Sequence, residues 1–331
     1  MPDFGPDSLK LDASKEIERI GERIRSYLAS HHRRGLVVAI SGGIDSSVVA
    51  ALCVHALGKN RVLGLLLPER ESSEETTRLG KLVVTSLGIE HIEENITSTL
   101  KAVGCYSRRD QAIRCVFPEL DDKCTVKIVL PGLLETESLR VFSVVIHTAT
   151  GQVVRKRLPP ESYLGVVAAS NFKQRIRAMF CYYHADRMNY MVAGTPNRLE
   201  YDQGFFVKQG DGAADIKPIA HLYKSQVYQL ARTFDIPEEI QSRPPTTDTY
   251  SMPQSQEEFF FSLPHVKMDL CLYGKNNGIS RKEVAAATEL NEDQVQRVFD
   301  DIDQKRKTTN FLHRPPELIV PVLEVDRIGL G

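Results

Sequence analysis

The chain has 331 residues, 42 Lys and Arg against 43 Asp and Glu, a formal net charge of −1 and 42% hydrophobic residues. Such a composition is ordinary for a soluble enzyme with a large core, in one big domain or two small ones. Near-neutral charge argues against a nucleic-acid partner, no apolar run approaches the roughly 18 residues of a membrane span, and the N-terminus lacks a signal-peptide pattern. The six cysteines, Cys53, Cys105, Cys115, Cys124, Cys181 and Cys271, include no C-x-x-C pair. They read as reduced thiols in a cytoplasmic protein rather than a zinc or iron–sulfur site.

Residues 13–30 carry Ile17, Ile20, Ile24 and Leu28 at helical spacing. An apolar strand follows at 36–40, then Ser41-Gly42-Gly43-Ile44-Asp45-Ser46, then a helix to about Leu57. A strand, a glycine turn and a helix start form a phosphate site, because free N–H groups and the positive helix end face one point. Ser41, Ser46 and Ser47 add hydroxyl donors. Asp45 beside a phosphate implies a cation, Mg²⁺. No Lys follows the last glycine, so this is not a Walker loop. The six residues resemble instead the pyrophosphate-binding loop of the N-type ATP pyrophosphatases. That likeness implies cleavage of ATP between the α and β phosphates.

Further along come a strand at 62–67 ended by Pro68, a helix from about Ser73 to Leu87 with a Ser-x-x-Glu type start, and a shorter strand from His91 to Asn95. Alternating strands and helices predict an α/β fold with a doubly wound parallel sheet. Its ligand would lie beyond the carboxyl ends of the strands. Residues 97–165 break the rhythm. Strand-like runs at 125–130, 139–147 and 153–158, with a turn at 148–152, read as a β-rich insertion with a hairpin. It is either a surface elaboration or a substrate lid or oligomer contact. Alternation resumes with a helix over 172–190, a strand at 190–194 and a helix over 222–234. The C-terminal third reads as helical. Its 280–299 stretch resembles a helix-turn-helix in outline but has no basic face, so it is read as packing helices.

A second glycine-rich stretch follows the 190–194 strand: Gly194-Thr195-Pro196-Asn197-Arg198-Leu199-Glu200, then Gly204 to Asp215 with Lys208, Gly210, Asp211 and Gly212. Upstream lies Asn171-Phe172-Lys173-Gln174-Arg175-Ile176-Arg177-Ala178-Met179. With the Ser-Gly-Gly-x-Asp-Ser loop, these three ordered motifs make the chain similar to the ammonia-dependent NAD synthases, over 13–96 and 166–275.

The resemblance implies an adenine nucleotide alpha hydrolase-like fold. It divides the chain into a synthase-like domain at 1–275, with its insertion at about 97–165, and a helical extension at 276–331. The implied activity is C–N ligation: deamido-NAD and ammonia become NAD through an acyl-adenylate, with release of AMP and pyrophosphate. The same resemblance assigns roles. Ser41, Gly42, Gly43, Asp45, Ser46, Thr195, Lys224 and Thr246 would hold ATP, and Asp45 and Glu200 would hold Mg²⁺. Arg175, Lys208 and Asp215 would hold deamido-NAD, with Asp45, Lys208 and Asp215 counted as catalytic. A homodimer is implied. No glutaminase domain is visible, so ammonia would arrive free or from a separate glutaminase.

Plainer readings stand beside these. Arg175 and Arg177 could be solvated helix charges, Glu200 and Lys224 surface residues, and Asp215 a turn cap. A different carboxylate, tRNA modification or a non-catalytic nucleotide-binding module are the competing functions. Near-neutral charge and the missing Cys pairs count against the second. The joint presence of Asp45, Glu200 and Lys224 counts against the third. The chain also departs from the family at Pro196, at Pro253-Gln254-Ser255-Gln256 and in the length of its insertion. The basic sequence expected before Pro315-Pro316 is matched either by His313-Arg314 or by Lys305-Arg306-Lys307 farther upstream. These departures bear more on the acyl substrate than on ATP.

Overall fold

The computed structural model describes residues 4–129, 142–246 and 249–322. Helix α1 (Ala13–Ser30) leads into β1 (Leu36–Ala39), α2 (Ile44–Leu57), β2 (Val62–Leu66), α3 (Glu74–Leu87) and β3 (Glu90–Glu93). Then come α4 (Thr97–Ala102), α5 (Cys105–Arg114), β4 (Thr125–Val129), β5 (Ser143–His147) and β6 (Val153–Arg157). The chain continues as α6 (Pro160–Met188), β7 (Met191–Ala193), α7 (Arg198–Gln203), α8 (Lys224–Thr233) and α9 (Glu238–Gln241). It finishes with α10 (His265–Asn276), α11 (Arg281–Thr288) and α12 (Glu292–His313).

The central sheet is parallel, in the order β3-β2-β1-β7. Successive side chains of β1 point to opposite faces. Leu36 and Val38 join Ile17, Ile24, Val48 and Leu230 in one core, under α1, α2 and α8. Val37 joins Leu63, Leu65, Tyr106, Ile176 and Cys181 in another, under α5 and α6. Helices therefore cover both faces, as a sheet of near-continuous apolar strands requires. Helix α2 is buried around most of its circumference, because α1, α8 and the sheet enclose it. A third core unites Leu9, Leu199 and Tyr223 with α10, α11 and α12.

The 97–165 stretch, read from sequence as a β-rich insertion, differs from that reading in two ways. Residues 97–114 are helical, and α6 begins at Pro160, well before 172. The β-rich part is an antiparallel sheet in the order β4-β5-β6, with Val126, Ile128, Val144 and Ile146 in a separate core that also holds Ile113, Val166 and Tyr250. The period-2 pattern was legible in the strands. The helices α4 and α5 were not, because only one face of each is apolar and both are short. Of the run read as a strand over 139–147, residues 139–141 lie outside the described residues.

The glycine loop after β1 sits hard against α3. Gly42 has φ +71°, and a Cβ there would lie 2.8 Å from both Leu79 Cβ and Thr76 O. Gly42→Ala should destabilise the protein by about 1–3 kcal/mol in urea titration, through left-handed strain and overpacking. Unchanged stability would show that the loop can shift away from α3.

Candidate active site

A cavity of about 500 Å³ opens at the carboxyl ends of β1, β2 and β7. Of the residues singled out in the sequence, Ser41, Gly43, Asp45, Ser46, Thr195, Glu200, Lys224 and Thr246 line it. Gly42 lies beneath, buried against α3.

Gly43 is the N-cap of α2 and has no side chain to satisfy the first turn. The loop's hydroxyls organise it instead. Ser46 Oγ donates to Gly43 O (3.0 Å) and accepts from Ser41 N (3.3 Å), while Ser47 Oγ donates to Gly43 O (2.8 Å). The first backbone N–H groups of α2 therefore remain available for an anion.

Asp45 is ion-paired to Lys224, which is 1% exposed. Its other oxygen accepts from Asn197 Nδ2 (3.0 Å). Asn197 is the N-cap of α7 and forms a capping box with Glu200: its N–H donates to Glu200 Oε2 (3.0 Å) and its Oδ1 accepts from Glu200 N (3.3 Å). One Asn thus sets both carboxylates relative to each other. Gln256 Nε2 donates to the remaining Glu200 oxygen, Oε1 (3.0 Å).

Burial and the nearby Asp45 charge push the Glu200 carboxyl up to about 8, with Lys224 opposing. Burial works against the Lys224 charge, but Asp45 and Glu200 outweigh it and hold its ammonium above the ordinary range. Two crowded carboxylates that resist joint ionisation would be relieved by a bound cation. Lys224 is held by its own helix start. Asp269 of α10, fully buried, accepts from Lys224 N (3.2 Å), Ser225 N (2.7 Å) and Ser225 Oγ (2.6 Å).

Arg175, Lys208 and Asp215 lie elsewhere. Arg175 is on the exposed side of α6, and its Nε donates to Lys208 O (3.3 Å). Lys208 Nζ donates to Phe311 O (2.9 Å) near the end of α12. Asp215 accepts from Val192 N (2.7 Å) at the edge of β7. Of the C-terminal basic residues, Arg306 pairs through two bonds with Asp202 (2.6 and 2.7 Å), and Lys305 Nζ donates to Phe260 O (2.8 Å). His313 packs edge-on against Tyr201 and Phe206.

The sequence reading missed several residues that line the cavity or hold the groups that do. Asn197 had a legible signal, an Asn three residues before Glu, the N-terminal box of a helix. Gln256 had none, being 56 residues from its partner. Lys173 was quoted only as a spacer. It is buried at 2% exposure and donates to Glu69 Oε1 (2.8 Å), Glu71 Oε2 (2.6 Å) and Thr249 O (2.9 Å). Arg109 adds two bonds to Glu71 (2.6 and 2.7 Å), and Tyr106 donates to Glu69 Oε2 (2.7 Å). This network joins the segment after β2 to α5 and α6 beside the cavity.

Burial alone would raise the Glu71 carboxyl, but Lys173 and Arg109 overcome it and bring it down to about 2 from an ordinary 4.5. A lowered folded-state value means the stabilisation is complete above pH 4.5 and is lost as pH falls through about 2. Glu71→Gln should be less stable than the parent by about 3 kcal/mol near neutrality, since two buried cations each lose one of their carboxylate partners. That gap should close in urea titrations carried down toward pH 2, and a gap independent of pH would contradict the assignment.

A family model described as NAD synthase matches residues 16–116 and 136–312. An NH(3)-dependent NAD(+) synthetase of Rhizobium meliloti (strain 1021) is 54% identical over 323 residues, covering 98% of this chain and 97% of that one. The protein of the same name from Mesorhizobium japonicum is 55% identical over 317 residues, covering 96% and 99%. Among solved structures, an NH3-dependent NAD synthetase from Campylobacter jejuni superposes with a TM-score of 0.61 at 22% identity, covering 94% of this chain and 100% of that one. An NMN synthetase from Francisella tularensis superposes with a TM-score of 0.65 at 20% identity, covering 95% and 100%. The structural likenesses establish a shared fold, the adenine nucleotide alpha hydrolase-like one. With the family model spanning most of its length and relatives more than half identical end to end, the chain belongs to the NAD synthase family.

Proposed function

We propose that this chain makes NAD from deamido-NAD, ammonia and ATP, and that the cavity beyond β1 and β7 is where ATP is activated. The carboxylate of deamido-NAD attacks the α-phosphorus of ATP, pyrophosphate leaves, and an acyl-adenylate forms. Ammonia then attacks the acyl carbon and AMP leaves. The observation that carries this reading is the meeting of a glycine loop, a buried Lys and two carboxylates in one cavity.

The chain's groups act mainly by position and charge. The α2 N-terminus, Ser41, Ser46 and Lys224 would take the departing pyrophosphate. Thr195 and Thr246 would contact the nucleotide. Asp45 and Glu200 suit Mg²⁺, a hard cation that takes carboxylate oxygens together with phosphate and water. Mg²⁺ would supply neutralisation of the phosphate charge.

Arg175 and Lys208 would serve the dinucleotide from outside this cavity, at a homodimer contact. Leu164, Ala168, Arg175, Met179 and Tyr183 share one exposed side of α6, with Leu164, Met179 and Tyr183 at 63%, 52% and 60% exposure. An apolar stripe of this length on a long helix suits a second copy of the chain. Asp215, which accepts from Val192 N, would set the position of the 204–215 segment beside Arg175. We place the protein in the cytoplasm, where its six free cysteines would stay reduced and where free ammonia or a separate glutaminase would supply nitrogen. Among the described residues, no helix is long and apolar enough to cross a membrane.

The test is pyrophosphate release from Mg-ATP and ammonium with and without deamido-NAD, with the product identified by mass. NAD formation dependent on all three substrates is expected, and Asp45→Ala should lower kcat/KM by about a hundredfold or more. Release of pyrophosphate only with some other carboxylate would overturn the substrate assignment. Met179→Glu combined with Tyr183→Glu should yield a monomer by light scattering. A dimer that survives would move the contact off this side of α6.

A further inference from the structure

Residues 243–246 and 249–257 form the roof of the cavity. Arg243, Pro245, Thr246 and Gln256 line it from above, and Gln256 holds a Glu200 oxygen. Within the roof the described backbone pairing is thin: one bridge between Thr246 and Ser255, and Gln256 N donating to Pro245 O (3.1 Å). Its firmest anchors come from outside. Lys173 Nζ donates to Thr249 O on one side. On the other side, β4 grips the roof at successive points. Val126 N donates to Ser251 Oγ (2.8 Å), Met252 N donates to Val126 O (3.1 Å), and Gln254 Nε2 donates to Ile128 O (2.7 Å).

The geometry follows from antiparallel pairing. Backbone groups along a strand alternate between its two edges. The contacts to the roof come from Val126 and Ile128, alternate residues of β4, on the edge away from β5. An edge strand left bare would be an aggregation hazard, and here the roof covers it. Gln254 is 3% exposed, so its bond to β4 is shielded from water. The family model matches up to residue 116 and resumes at 136, and β4 lies wholly in the gap. The strand that holds the roof is therefore one that the family model does not describe. It sits opposite Pro253–Gln256, where the chain departs from the pattern of the resembled family.

We propose that β4 is a built-in clamp that positions the roof over ATP, with Ser251 and Gln254 as positioning residues for Thr246 and Gln256. The inference rests on the reading of this cavity as the ATP site. Held by β4 and Lys173, the roof presents Thr246 to the nucleotide and keeps Gln256 on Glu200 before ATP arrives. Unclamped, it must be ordered by ATP itself, and apparent affinity falls by the fraction of molecules in the competent state.

The test uses the full chain with Ser251→Ala and Gln254→Leu combined, beside Lys123→Ala, an exposed change just before β4. Each lost hydrogen bond is worth a factor of about two to ten. Amide exchange in 249–258 should therefore accelerate by about tenfold, while exchange across β5 and β6 stays as in the parent. The Kd for Mg-ATP should rise by a similar factor. In turnover, KM for ATP should rise with kcat at saturating ATP and KM for deamido-NAD held within about twofold. Lys123→Ala should move none of these by more than about twofold.

Unchanged exchange in 249–258 would overturn the clamp. Faster exchange with unchanged Mg-ATP affinity would overturn its positioning role. A fall in thermal midpoint with exchange accelerating throughout the insertion would reduce Ser251 and Gln254 to ordinary packing and overturn it as well. Exchange and ATP binding need no acyl substrate, so they decide the clamp even if deamido-NAD proves to be the wrong carboxylate.

Discussion

The ion pair between Asp45 and Lys224 is the constraint around which the cavity is arranged. A Lys at 1% exposure cannot stand alone, because an uncompensated buried charge is strongly destabilising. Its partner must arrive from the first turn of α2, so the glycine loop and the start of α8 have to meet. That meeting is enforced from behind by Asp269, which caps α8 from α10. It is enforced in front by Asn197, which holds Asp45 with its side chain and Glu200 with its backbone. Four segments far apart in sequence converge because one charge has to be neutralised.

The same arrangement leaves the site unfinished in a useful sense. Asp45 shares its charge with Lys224, and Glu200 is pushed up to about 8 by burial and by Asp45. Adding a divalent cation and a polyanion together would relieve both the crowded carboxylates and the buried ammonium. Adding either alone would relieve only one. On the proposed reading of the cavity, a site built from these side chains would favour a metal-bound nucleotide over free phosphate.

The 97–165 segment meets the site in two places. Its helices α4 and α5 complete one face of the central sheet, and Arg109 of α5 joins Glu71 and Lys173 in a buried network beside the cavity. Its strands form a small independent core that reaches Tyr250 in the roof. The segment is thus attached to the site at its base through charges and at its top through a strand edge. Neither attachment is an exposed elaboration.

Much of this was legible in the residues. Helix α1, the strand-loop-helix at 36–57, the parallel alternation and the three strands of the insertion follow from apolar spacing and glycine placement, which act over a few residues. Leu36 and Val37 could be read as strand, but not as belonging to cores on opposite faces. Glu200 and Lys224 could be named, yet their plainer reading as surface residues fails only because α7 and α8 pack over the site and bury them. Sequence by itself determined the local elements, the glycine loop and the family, since those depend on short-range periodicity and on residue types at close spacing. Only the tertiary structure decided that Gln256 holds Glu200, that Asp269 caps α8 and that β4 supports the roof. Each of these joins groups tens to more than a hundred residues apart, and what selects the partner is the need to satisfy a buried polar group once the elements have packed.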